Sequence, residues 1–190
     1  LVYQGQNSVA IGYNAGTGTY LQLNPITLIP GVSTGQNAFA VAIGNSSGQF
    51  NQGTSAVAIG YQSGNNQQGT NTVAVGYQCG FTGQGTNSVA IGYQCGQTSQ
   101  GAYSVAVGYQ SGSISQQSSS VSIGYQSGRT SQSAFSVAVG YQSGALNQNT
   151  SSVAVGYQCG QSNQGAFSVA MGYQSGALNQ NTSSVAIGYQ

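Results

Sequence analysis

The sequence predicts an all-β protein, a parallel β-solenoid of about twelve 16-residue coils. Three observations carry that expectation. An octet, Val-Ala-Ile-Gly-Tyr-Gln-Ser-Gly at Val57–Gly64, recurs with starts at Val9, Val41, Val57, Val73, Val89, Val105, Val121, Val137, Val153, Val169 and Val185. The starts advance by a constant 16-residue step, doubled only between Val9 and Val41, and a fixed period of this kind marks a repeat architecture. Val, Ile, Tyr and Ser punctuated by Gly favour short strands and turns over helix.

A 16-residue unit without a helical pattern cannot build a βαβ crossover. It can build one coil of two short strands and two turns, stacked about 4.8 Å from the next by strand hydrogen bonds. Twelve such coils would span roughly 57 Å. Numbering each coil from its Val, position 5 is Tyr, position 6 Gln, position 7 Ser, Cys or Ala, position 8 Gly and position 12 Gln.

Stacking in register sets each side chain above its counterpart. Tyr61, Tyr77, Tyr93, Tyr109, Tyr125, Tyr141, Tyr157 and Tyr173 are expected to form a ring column that continues to Tyr189. Gln68, Gln84, Gln100 and Gln116, with the position-6 glutamines, are expected to form amide ladders, as in other in-register stacks. The same geometry accounts for the near absence of charge. Like charges one rung apart repel by about 0.9 kcal/mol even in water, whereas stacked amides attract.

Positions 1 and 3 point to one side of the strand, and positions 16, 2 and 4 to the other. The first side is branched and apolar; the second is Ser-Ala-Gly. A strand apolar on both faces is usually covered on both. One side should line the coil and the other should meet a second copy, most simply in a cyclic homo-oligomer around the small Ala/Ser/Gly face.

The slot from Thr17 to Thr34 breaks the pattern, with Pro25 in place of the octet Val. Its residues Tyr20, Leu21, Leu23, Pro25, Ile26, Leu28, Ile29 and Pro30 are either a degenerate coil or an extruded contact loop, since proline disrupts a central ladder. From Gln36 to Gln190 the frame is unbroken, and residues 134–158 and 166–190 are nearly identical, a 32-residue super-repeat. No linker or second domain is evident. The chain starts at Leu1 and stops at Gln190 within a repeat, which is expected of a fragment or processed product.

The chain contains no Asp, Glu or His and one basic residue, Arg129, expected in a solvated turn. Phosphate backbones are bound by clusters of Lys and Arg, so nucleic acid is not an expected partner. No apolar run reaches the roughly 20 residues of a membrane helix. General acid–base catalysis needs groups titrating near the working pH, and those residue types are missing, so neither an enzyme nor a cofactor is expected. Three cysteines without His or carboxylate make a poor metal set. Cys79, Cys95 and Cys159 share position 7 and are expected as small buried thiols, with inter-chain bridging the alternative. Rung spacing exceeds the Cβ separation of an unstrained disulfide. Asn45, Asn149 and Asn181 begin glycosylation sequons, relevant only along a glycosylating route.

Asn7-Ser8-Val9-Ala10-Ile11-Gly12 and Asn87-Ser88-Val89-Ala90-Ile91-Gly92, with the following Ser in repeats such as Val57–Ser63, resemble the head repeats of YadA-like trimeric autotransporter adhesins. The resemblance extends over about eleven of the twelve coils. Similar repeats occur in fibre proteins of phages and large viruses. The resemblance implies a left-handed parallel β-roll, side-by-side homotrimers and a stiff projection from a cell or virion surface. Its partners would be copies of itself, end-to-end neighbours in a filament, and a cell-surface or matrix ligand. A structural fibre segment is the favoured reading, with an adhesive autotransporter head as the alternative. An ice-binding solenoid is disfavoured because Thr is scattered over positions 10, 14 and 16.

Overall fold

A computed structural model describes residues 4–18 and 35–190. Every strand among them is parallel to its neighbours, and none of these residues is helical. The main sheet has eleven strands, one per octet, from Val9–Ile11 to Val185–Tyr189. Each pairs residue for residue with the octet of the next coil, for example Val105 with Val121 and Tyr109 with Tyr125. A second sheet on the opposite side joins Phe50–Gln52, Asn66–Gln68, Thr82–Gln84 and Thr98–Gln100. Single bridges continue it through Ile114, Thr130, Leu146 and Ser162 to Leu178.

Val9 pairs directly with Val41, and Gln4 with Gln36, so the register step here is twice that of every other rung. The Gly16 and Gly18 amides donate to the Ser47 and Gln49 carbonyls, as the next coil of a regular stack would require. Among the described residues the main sheet therefore has eleven rungs, one for each octet.

The inside and outside of the coil correct an expectation. The small face points inward: Ala42, Ala58, Ala74, Ala90 and Ala106 at position 2 are wholly buried, as are Ser88, Ser104 and Ser120 at position 16. The branched face points outward, with Val57 half-buried and Ile59, Ile91 and Ile123 exposed. The physical reason lies at position 12. Gln52, Gln68, Gln116 and Gln132 are buried and reach across the coil from the second sheet, so only Ala, Ser or Gly fits opposite. An oligomer built around the Ala/Ser/Gly face is excluded by this packing, because that face is the core.

Each coil turns by left-handed backbone. Positions 6, 11 and 15 have positive φ on non-glycine residues, as at Gln110 (49°), Ser115 (56°) and Ser119 (57°). Such conformations cost energy and persist where surrounding structure over-determines them; here the rungs above and below do so. Position 4 is stricter. Gly76, Gly92, Gly108 and Gly124 have φ between 121° and 128°, a region that residues with a side chain enter only under strain. A Cβ on any of them would collide with the carbonyl oxygen of the glycine one rung on.

Candidate functional surface

Positions 1, 3 and 5 alternate along the strand and so share the outer face. Their side chains form columns of Val, of Ile or Val with Met171, and of Tyr with Asn45 as the exception. The Tyr rings from Tyr61 to Tyr189 stack with centroids 4.9–5.2 Å apart and planes within 13° of parallel. Offset stacking at this separation suits the ring quadrupole. All the sequence-predicted tyrosines, Tyr61, Tyr77, Tyr93, Tyr109, Tyr125, Tyr141, Tyr157 and Tyr173, fall in this one column.

Beside the rings runs an amide ladder. Gln78 Nε2 donates to Gln62 Oε1 at 2.9 Å, Gln94 to Gln78 at 3.0 Å, Gln110 to Gln94 at 3.0 Å and Gln126 to Gln110 at 2.9 Å. The chain of bonds continues to Gln174. The position-12 glutamines behave differently. Gln68, Gln84, Gln100 and Gln116 donate from Nε2 to the position-1 carbonyls of Val57, Val73, Val89 and Val105 at 2.8–2.9 Å. They are cross-braces between the two sheets. Two vertical bonds join members of this set, Gln100 Nε2 to Gln116 Oε1 at 3.3 Å and Gln132 Nε2 to Gln148 Oε1 at 3.1 Å.

The braces leave acceptors unused. The Oε1 atoms of Gln36, Gln52, Gln68, Gln84, Gln100, Gln164 and Gln180 are buried without a hydrogen-bond partner. Gln132 is different because its coil carries Ser122 in place of Ala, and the Ser122 Oγ donates to Gln132 Oε1 at 2.5 Å. Ala74 stands in the same relation to Gln84. Ala74→Ser is expected to stabilise the fold by about 0.5–1.5 kcal/mol, the net value of a satisfied hydrogen bond, read as a higher urea midpoint. An unchanged or lower midpoint would show that the Gln84 oxygen gains nothing from a hydroxyl there.

Position 7 fastens each coil to the next. Ser127 Oγ donates to the Gly140 carbonyl at 2.6 Å, and Cys79 Sγ to the Gly92 carbonyl at 3.0 Å. Cys79, Cys95 and Cys159 are free and buried. The hydrogen bond with Cys95, together with burial, pushes the Cys79 thiol up, and burial pushes Cys159 up. These thiols substitute for serine as packing groups. Arg129, expected in a solvated turn, is half-buried.

Among the described residues no cluster of His, Cys, Asp or Glu could hold a metal ion, and no helix is long and apolar enough to cross a membrane. The predicted contact stretch, Tyr20, Leu21, Leu23, Pro25, Ile26, Leu28, Ile29 and Pro30, lies outside the described residues. Sequence reasoning missed another set. Tyr103, Phe135 and Phe167, all at position 15, are the most exposed aromatic rings of the interior coils. Their recurrence at every second coil is the signal that identifies them.

Fold and surface together define a stacked-coil structural repeat whose outward features are columns one rung apart. The family model of the YadA head domain repeat matches in two copies, over residues 4–17, 84–94 and 164–190. Those segments of the chain are similar to the YadA head domain repeat. No curated protein and no solved structure matches it.

Proposed function

We propose that this chain is a non-catalytic structural segment of an adhesin-like head or fibre on an extracellular or virion surface, in which three copies pack side by side through the Val/Ile/Tyr face. The observation that supports this is the exposure of that face. Eleven rungs of positions 1 to 5 present about 600 Å² of largely apolar sheet on strand spacing and rise. Patches of this size mark interfaces, and a standard interface takes roughly 800 Å² from each partner. The threefold count rests on the head repeats, and lateral closure is cyclic in such assemblies.

The alternative reading is the ligand-binding head of a bacterial trimeric autotransporter. Both readings share the same assembly. A double substitution, Ile91→Lys with Ile123→Lys, sets two charges on the outer face two rungs apart. The parent chain is expected to sediment at three chain masses and the variant at one, with β circular dichroism retained. A monomeric parent, or a variant that still sediments as a trimer, would overturn the assignment of this face.

A further inference from the structure

Every coil needs the same backbone, so the fold requires the 16-residue period. It does not require the 32-residue super-repeat. At position 15 Tyr103, Phe135 and Phe167 alternate with Ser119, Ser151 and Ser183. All six have positive φ, between 54° and 58°. Ser satisfies that geometry at every second rung, and a bulky residue there is a conformational outlier. The rings are also 64–65% exposed, so packing does not select them. They stand two rungs apart, about 10 Å. The residue before each ring is Ala102, Ala134 or Ala166, whereas the intervening rungs carry the exposed hydroxyls of Ser118, Thr150 and Thr182. The row thus reads ring, hydroxyl pair, ring, hydroxyl pair, with no charge along it.

We propose that this row is a binding site for an extended β-1,4-linked polysaccharide. In such a chain successive pyranose rings are turned over, so equivalent faces recur every second sugar, close to the two-rung spacing. The apolar C–H face of one sugar stacks on an aromatic ring, and the next sugar meets the Ser/Thr hydroxyls. A second copy of this chain, interdigitating its own rings, is the competing occupant. Its rings would have to enter slots lined by Ser118–Ser119 and Thr150–Ser151 and bury those hydroxyls against aromatic carbon, which leaves them without partners.

A β-linked glycan is a ligand class for the adhesive surface proposed above and rests on that reading for its biological setting, although the row belongs to the fold whatever the chain count. The experiment is co-sedimentation with microcrystalline cellulose and with chitin, and with granular starch as the α-linked control. The variant carries Tyr103→Ser, Phe135→Ser and Phe167→Ser, the residue already present at the same position in alternate coils, so folding is preserved and is checked by circular dichroism. The parent is expected to bind cellulose, chitin or both but not starch, with the triple variant at least about tenfold weaker, as loss of several anchor residues predicts. Absence of binding to both β-linked polymers, equal binding by the variant, or larger parent assemblies that the variant lacks in sedimentation would overturn it, the last by assigning the row to a second copy. Failure of trimerisation in the Ile91/Ile123 experiment leaves this result readable, because binding is scored on the chain in whatever state it sediments.

Discussion

Replacing Gly108 by alanine is expected to break the solenoid between the coils that start at Val105 and Val121. Gly108 has φ of 128°, which alanine reaches only at a cost of about 1–3 kcal/mol. Its Cβ would also collide with the carbonyl oxygen of Gly124, and that oxygen belongs to a backbone held by ladder hydrogen bonds. Strain and collision together place the change in the exceptional class above about 4 kcal/mol. Because each coil contacts only its neighbours, the damage should be local. Hydrogen exchange should show protection lost across Val105–Tyr125 and retained in coils three or more rungs away. Uniform protection equal to the parent would mean that position 4 tolerates a side chain and that the rungs are not in contact there.

The second large effect concerns charge. Gln94, Gln110 and Gln126 are consecutive rungs of the amide ladder, half-buried and bonded one to the next. Converting all three to Glu removes the donors and creates two adjacent like-charge pairs. Each pair at this separation costs about 0.9 kcal/mol at the dielectric of water and about 3.5 kcal/mol at the effective value near a protein surface. Repulsion raises the folded-state pKa of the carboxyls above the unfolded value of about 4.3. The unfolded chain then loses its protons first, binds fewer protons than the folded chain, and stability falls as pH rises. The variant should approach parental stability below about pH 4 and lose about 3–5 kcal/mol by pH 7. A pH-independent deficit would show that amide loss alone matters; no deficit would show that stacking places no constraint on charge.

The in-register stack was legible because it depends on phase alone. Once octets recur at a constant period, Tyr77 must meet Tyr93, and no knowledge of side-chain packing is needed. Which side of the strand faces inward was not legible. Both sides of Val-Ala-Ile-Gly are free of charge, and the choice is made by a residue on the other side of the coil, the position-12 glutamine. A buried polar brace defeats the rule that larger apolar residues go inside. The same reversal converted Gln68 and Gln84 from expected ladder members into donors to the Val57 and Val73 carbonyls.

Turn geometry was legible only in part. Gly at positions 4 and 8 signals positive φ, but Gln110, Ser115 and Ser119 take it without any glycine signal, because the rungs above and below impose it. The pairing of Val9 with Val41 is a three-dimensional fact that phase cannot distinguish from a skipped coil. The aromatic row at Tyr103, Phe135 and Phe167 was visible as a super-repeat, yet it acquires meaning only when the coil shows position 15 to be exposed.

The most direct test of the account is X-ray diffraction from aligned molecules. Coils stacked rung on rung should give a strong axial reflection at about 4.8 Å, the spacing of hydrogen-bonded strands. An axial pattern dominated by the α-helical pitch of about 5.4 Å, or one without any reflection near the strand spacing, would contradict it.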